Sequence, residues 1–161
     1  MIKRQRKFIQ RTRIKRRPPK PVSKERKKTK LQQNKDNPYS RYWRDKCEPI
    51  WRAIVLYRAG NKSKISACTH NLQVHHLIHR SRSMTRWDLN NGFVLTAYEH
   101  KFMVGGPHGP DAWMFAELLA KRYPEKLKWM KQHANDSGRM CWHDIHGQLT
   151  RTAYKEKICI Q

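Results

Sequence analysis

Six of the nine histidines fall between residues 70 and 108: His70, His75, His76, His79, His100 and His108. Imidazole does two kinds of chemistry near neutral pH. Its unprotonated nitrogen binds transition-metal ions, and with an ordinary pKa of about 6.5 it can take or give a proton. His75, His76 and His79 share the run VHHLIH at 74–79. In a strand, His75 and His76 point to opposite faces, because side chains alternate with period two. One ring can then bind a metal while its neighbour faces a separate pocket as a base. His100 stands at the start of a predicted helix, from which its ring can turn back to meet His75.

These side chains need elements to hold them. Residues 72–79 (LQVHHLIH) favour a strand, with Leu72, Val74 and Leu77 or Ile78 as apolar contacts. Residues 80–91 read as a polar loop rich in Arg and Ser, 92–97 (GFVLTA) as a second strand, and Tyr98–Val104 as the start of a short helix. After the break GGPHGP, residues 111–123 form an amphipathic helix, and Pro124 opens another that buries Leu127, Trp129 and Met130. Upstream, Trp43, Cys47, Ile50, Trp51, Ile54 and Val55 recur at helical steps, which predicts a helix over Tyr39–Tyr57. Pro49 has no amide hydrogen to donate, so either a second helix starts near Glu48 or the helix kinks there. Ala59-Gly60-Asn61 ends it. The spacing makes these aromatics core rather than a base-stacking platform. Residues 134–161 are weakly patterned. Their segment CWHDIH groups Cys141, His143 and His146 without the fourth ligand a closed metal site needs.

The charge is lopsided. The 161 residues carry 36 Lys+Arg against 12 Asp+Glu, a net +24, and residues 1–30 alone hold 15 cations and one acid, Glu25. Polyanions are the expected partners, nucleic acid first. No apolar run approaches the roughly 20 residues of a membrane span, and a membrane-surface role lacks the segregated apolar face it needs. Residues 1–36 read as a basic arm that Pro18, Pro19 and Pro21 keep from forming a long helix and that has too little apolar area to order. It is either a solvated tail or, as the fifteen cations of residues 1–30 favour, an arm that slides on phosphate backbones. Cys47, Cys68, Cys141 and Cys159 form no CxxC pair, which points to a reducing compartment. The N-terminus lacks the apolar stretch of a secretory signal, and its Lys-rich, Ser-poor run fits a mitochondrial presequence poorly.

A strand–loop–strand–helix segment with His-His on the first strand, an Asn before the second and a His on the helix resembles the HNH nuclease family. The matching residues are VHHLIHRS (74–81), Asn91 in DLNNGFVLT (88–96) and His100 in AYEHKF (97–102). The likeness is nearest to small HNH proteins of bacteriophages and bacteria, in which an RWDLNNG-like loop and a GPHGP-like break occur in this order. It covers about residues 40–130, the arm matching in composition only.

The resemblance implies an α+β chain: a ββα-metal hairpin-plus-helix core at about 70–104 within a nuclease domain of 37–133, surrounded by helices, with the arm at 1–36 disordered and 134–161 an extension. It implies that His75 and His100 hold one divalent cation (Mg²⁺, Mn²⁺, Ni²⁺ or Zn²⁺) and that His76 is the general base. Asn91 then ties the loop to the hairpin and keeps the base oriented. His108 stands at the break where the resembling proteins also carry it. It is either a third ligand or a helix-cap neighbour or phosphate contact. Asp88 reads as a turn cap. His79 replaces a Pro or Gly of the family and is either a phosphate contact or an exposed residue, and His70 reads as exposed. Arg80, Arg82 and Arg86 flank the site and suit bidentate phosphate contact, with solubility as their other reading; Lys101 is of the same kind.

Many HNH proteins also hold a zinc with two CxxC pairs. Here those stretches read Cys68-Thr-His-Asn71 and Thr96-Ala-Tyr-Glu99, so no structural four-cysteine zinc is expected, and an aromatic core around Trp43, Trp51, Trp87 and Trp113 must hold the hairpin. The function so implied is cleavage of DNA phosphodiesters, duplex or branched, in the cytoplasm of a bacterium or phage-infected cell. A packaging or recombination machine is a further partner consistent with it, and oligomeric state and preference for DNA over RNA stay open. The alternative is a nuclease-derived, catalytically silent component of a nucleoprotein assembly.

Overall fold

The computed structural model describes residues 28–159. Its elements are α1 (Lys30–Asp36), α2 (Arg41–Arg58), β1 (Leu72–His76), β2 (Gly92–Thr96), α3 (Ala97–Lys101), α4 (Trp113–Arg122), α5 (Pro124–His133) and α6 (Trp142–Lys155), with a 3-10 turn at Leu89–Asn91. The class is α+β, with one two-stranded antiparallel sheet among the described residues. None of their helices is long and apolar enough to cross a membrane. Most of the basic arm lies outside the described residues. Its last part departs from the expectation of disorder: past Pro21 no proline interrupts, and Thr29 caps α1 by accepting from the Gln32 amide.

One helix, α2, organises the packing. It runs unbroken through Pro49 and buries Cys47, Ile50, Trp51, Ile54 and Val55 as a single stripe on both sides of the proline. The apolar stripe thus outweighs the one lost backbone bond. The hairpin pairs Val74 with Val94 and His75 with Phe93. On one face, Val74 and Val94 join the α2 stripe, Trp87, Leu149 and Ala153. On the other, Phe93 and Leu95 pack against Phe115 and Leu119 of α4. Strand β2 is therefore buried on both faces.

Several expectations need correcting. First, β1 stops at His76 rather than 79, because Asn91 takes over the pairing: Leu77 N–H donates to the Asn91 carbonyl (2.9 Å) and Ile78 N–H to its side-chain oxygen (2.6 Å). Second, Trp51 and Trp87 are core residues, but Trp113 is 61 % exposed, because Phe115 and Leu119 occupy the inward stripe of α4 and position 113 lies across the helix from them. Trp43 is half-buried, edge-on to His143 (4.6 Å between ring centres) and His146 (5.3 Å). Third, the unpatterned C-terminal stretch contains α6, which lies along α2 with Leu149 and Ala153 in the shared core and an Arg58–Glu156 ion pair at its end. Leu127, Trp129 and Met130 are half-buried rather than buried.

Candidate metal centre

The hairpin places the two adjacent histidines in different surroundings. His75 shares its face with Gln73 and Phe93, beside the edge of the Phe115 ring (5.8 Å). His100 reaches this face from α3. That helix starts in a capping box: Thr96 accepts from the Glu99 amide, and the Glu99 carboxylate accepts from the Thr96 amide. The same buried carboxylate accepts from Ser63 Oγ and the Ser66 amide. Burial pushes its pKa up, but these hydrogen bonds outweigh burial and hold it below the usual carboxylate range. A charged Glu99 thus pins the segment around 63–66 to the start of α3.

His108 is exposed and arrives on the glycine-rich turn after α3. A Cβ on Gly106 or Gly109 would clash with the carbonyl oxygens of Glu99 and Met103, so only glycine lets this turn fold tightly against α3. The result is a cluster in which one ring nitrogen from each of His75, His100 and His108 lies within 4.8 Å of the others. His75 Nδ1 is 3.0 Å from His100 Nε2, and His100 Nδ1 donates to Gln73 Oε1 at 2.7 Å. Tetrahedral coordination with N–metal bonds of 2.0–2.1 Å sets nitrogens about 3.3 Å apart. The His75–His100 pair is already near that spacing, and a His108 ring nitrogen lies within 4.8 Å of both. Burial first, then the neighbouring His100, His108 and His76, pushes the His75 pKa down to about 3. His100 is also lowered, by burial and then by His108, Lys101 and Arg52. Neutral rings are what a metal requires, and these three could hold one divalent cation.

His76 turns the other way. Its ring stacks on Trp51 at 4.2 Å between centres and 15° between planes, and Trp51 is itself fixed by donating its indole N–H to the Asp88 carbonyl (2.9 Å). Burial, then the cationic Arg86, with smaller contributions from Arg80 and Arg52, pushes its pKa down to about 4; a backbone contact with Arg86 acts in the opposite sense. Nε2 of His76 is sealed from solvent without a hydrogen-bond partner. The ring borders a cavity of about 400 Å³ that both His75 and His76 line.

Asn91 is fully buried and holds the loop. It donates from Nδ2 to the carbonyls of Ile78 (3.0 Å) and Thr85 (2.9 Å) and accepts from the Ile78 amide. Every hydrogen-bonding group of the side chain is thereby used to fix the chain that follows His76. Asp88 caps the 3-10 turn by accepting from the Asn90 amide.

The cations divide. Arg80 and the exposed His79 line the cavity, whereas Arg82 and Lys101 are exposed outside it. Arg86 is folded back, its guanidinium 4.7 Å over the Trp87 ring and donating to the Arg80 carbonyl (2.8 Å). It braces the loop and raises the local potential around His76. His70 is exposed. Among the described residues, the trio is the one group of three or more such ligands close enough to share an ion, and Cys141, His143 and His146 are not part of one.

Three cavity residues escaped the sequence reading: Gln73, Glu48 and Arg52. Gln73 was findable, since it stands two positions before His75 and so on the same strand face. Glu48 and Arg52, an i,i+4 pair on α2, reach the hairpin only through tertiary packing, which no local spacing encodes. Comparison with protein-family models, curated proteins and solved structures returned no match, so the reading of this site rests on its own geometry.

Proposed function

We propose that the protein is a metal-dependent endonuclease of the HNH type, whose hairpin and α3 form a ββα-metal core that cuts DNA phosphodiester bonds. One observation carries the reading: a three-histidine cluster fit for a cation and an adjacent, oppositely facing histidine line the same cavity. His75, His100 and His108 would hold the cation. Three neutral imidazoles without a carboxylate suit Ni²⁺ or Zn²⁺ better than Mg²⁺. Bound there, such a cation supplies Lewis-acid stabilisation of the charge that grows on the phosphate and the leaving oxygen.

The chain's own residues do the rest. Nδ1 of His76 accepts the proton of the attacking water, while Trp51 and the loop held by Asn91 keep its ring from turning. Arg52 and Arg80, both in the cavity lining, hold the phosphodiester by charge-assisted hydrogen bonds. The bound phosphate's negative charge offsets those two arginines and brings the His76 pKa up towards its working range. The net charge of +24 supports a polyanionic substrate.

Plasmid DNA incubated with the protein and Mg²⁺, Mn²⁺, Ni²⁺ or Zn²⁺ tests this. Cleavage by the wild type that drops at least 100-fold in His76→Ala is expected. No cleavage with any of these ions, or equal cleavage by both proteins, would refute it; DNA binding that persists in EDTA together with no site-specific metal affinity would favour a silent binding component.

A further inference from the structure

Gln73 is half-buried on β1, opposite Leu95 and on the His75 face, and no catalytic step described above uses it. Its amide oxygen is a pure acceptor. At 2.7 Å from His100 Nδ1 it therefore demands a proton on that nitrogen. A neutral imidazole carries one ring proton, so Nε2 of His100 is left with its lone pair. Nε2 is the atom that faces His75 Nδ1 at 3.0 Å. A free neutral histidine prefers the other arrangement, with the proton on Nε2, where it would block coordination. The hydrogen bond made by one ring nitrogen thus decides whether the other can take a metal.

We propose that Gln73 is a positioning residue for the cation: it fixes His100 in the Nδ1–H tautomer and aims its Nε2 lone pair at the point shared with His75 and His108. The proposal rests on the metal-centre reading above. The choice of an amide has a chemical meaning. A carboxylate at 73 would also accept from Nδ1, but would raise the basicity of His100 and draw a second proton onto the ring in acid. The neutral amide orients the ring without adding charge to the centre.

Three proteins test it: wild type, Gln73→Leu, which keeps the size and removes the acceptor, and Gln73→Glu, which keeps the acceptor. Two readouts are taken. Competition with a chromogenic chelator measures Zn²⁺ and Ni²⁺ affinity, and ¹⁵N NMR of the metal-free proteins reports which nitrogen of His100 carries the proton. The expected result is a loss of about 10- to 100-fold in metal affinity for Gln73→Leu, with His100 shifting from Nδ1–H towards Nε2–H, and rescue of both by Gln73→Glu. Unchanged affinity and unchanged tautomer in Gln73→Leu would overturn the proposal. Should Gln73→Leu fail to fold, Gln73→Ala at this half-exposed position takes its place. If the wild type binds neither metal, the metal-centre reading fails, and the NMR arm still decides whether Gln73 sets the tautomer.

Discussion

His75 and His76 are neighbours in one strand, and both are held neutral well below the ordinary histidine pKa, yet by different surroundings. At His75, after burial, the depressing charges are other histidines, namely His100, His108 and the adjacent His76. On the His76 face they are arginines, Arg86 ahead of Arg80 and Arg52. The first environment pools lone pairs, which suits a cation. The second surrounds one ring with fixed positive charge and an aromatic plate, which suits an anion beside a base. Strand alternation alone separates the two, so one dipeptide supplies two distinct chemical environments about one cavity.

Breaking either side should therefore give different failures. His75→Ala is expected to abolish cleavage and to weaken Zn²⁺ or Ni²⁺ binding together. His76→Ala is expected to lose about 10²–10⁴ in cleavage rate while binding metal within about twofold of wild type. Metal titration beside a plasmid assay reads both. Parallel loss of metal binding in the two variants would erase the distinction between the faces.

Acid should act on both faces at once. The unfolded chain takes up protons on these histidines at about pH 6.5, whereas the folded chain resists until about pH 4 for His76 and about 3 for His75. Between those limits the unfolded state binds more protons. Stability is then fully present above about pH 6.5 and falls as the pH drops towards 4. Glu99, held low by its hydrogen bonds, adds a loss of its own only below the ordinary glutamate range near 4.5. Urea midpoints at pH 7, 6 and 5 are expected to decline for the wild type. His76→Phe keeps a ring on Trp51 and should show a shallower decline across that window. An identical slope in the variant would show that His76 does not titrate as its burial requires.

How much of this was legible in the sequence follows from which interactions are local. The hairpin, the start of α3 and the opposed faces of His75 and His76 all come from period-two and capping patterns, and the helical stripe of α2 was strong enough to show through Pro49. The turn that delivers His108 was visible as GGPHGP, although its tight fold depends on contacts with Glu99 and Met103 backbone that no pattern announces. Helix α6 was missed because Gly147 and two histidines interrupt it, yet Trp142, Ile145, Leu149 and Ala153 do recur at helical spacing. Arg52 and Glu48 were invisible for a firmer reason: their membership of the site is decided by how α2 lies on the hairpin, a contact between segments more than twenty residues apart. The seating of Arg86 over the Trp87 ring was invisible for a similar reason, since no spacing announces which way the guanidinium folds.

The arginines offer the smallest and sharpest comparison. Arg80 lines the cavity and Arg82, two residues on, does not. Arg80→Ala should lower cleavage by more than tenfold, because it withdraws a cation from the phosphate at the point of attack. Arg82→Ala should leave the cleavage rate of bound DNA unchanged, since the side chain can reach only neighbouring phosphates. Its effect belongs to the electrostatics of association, where each phosphate contact contributes about 0.9 to the slope of log affinity against log salt for duplex DNA. Loss of one contact therefore reduces that slope by about 0.9 in Arg82→Ala, as read from binding titrations over a salt series. Equal effects of the two substitutions on cleavage would mean that the cavity does not hold the phosphate that is cut.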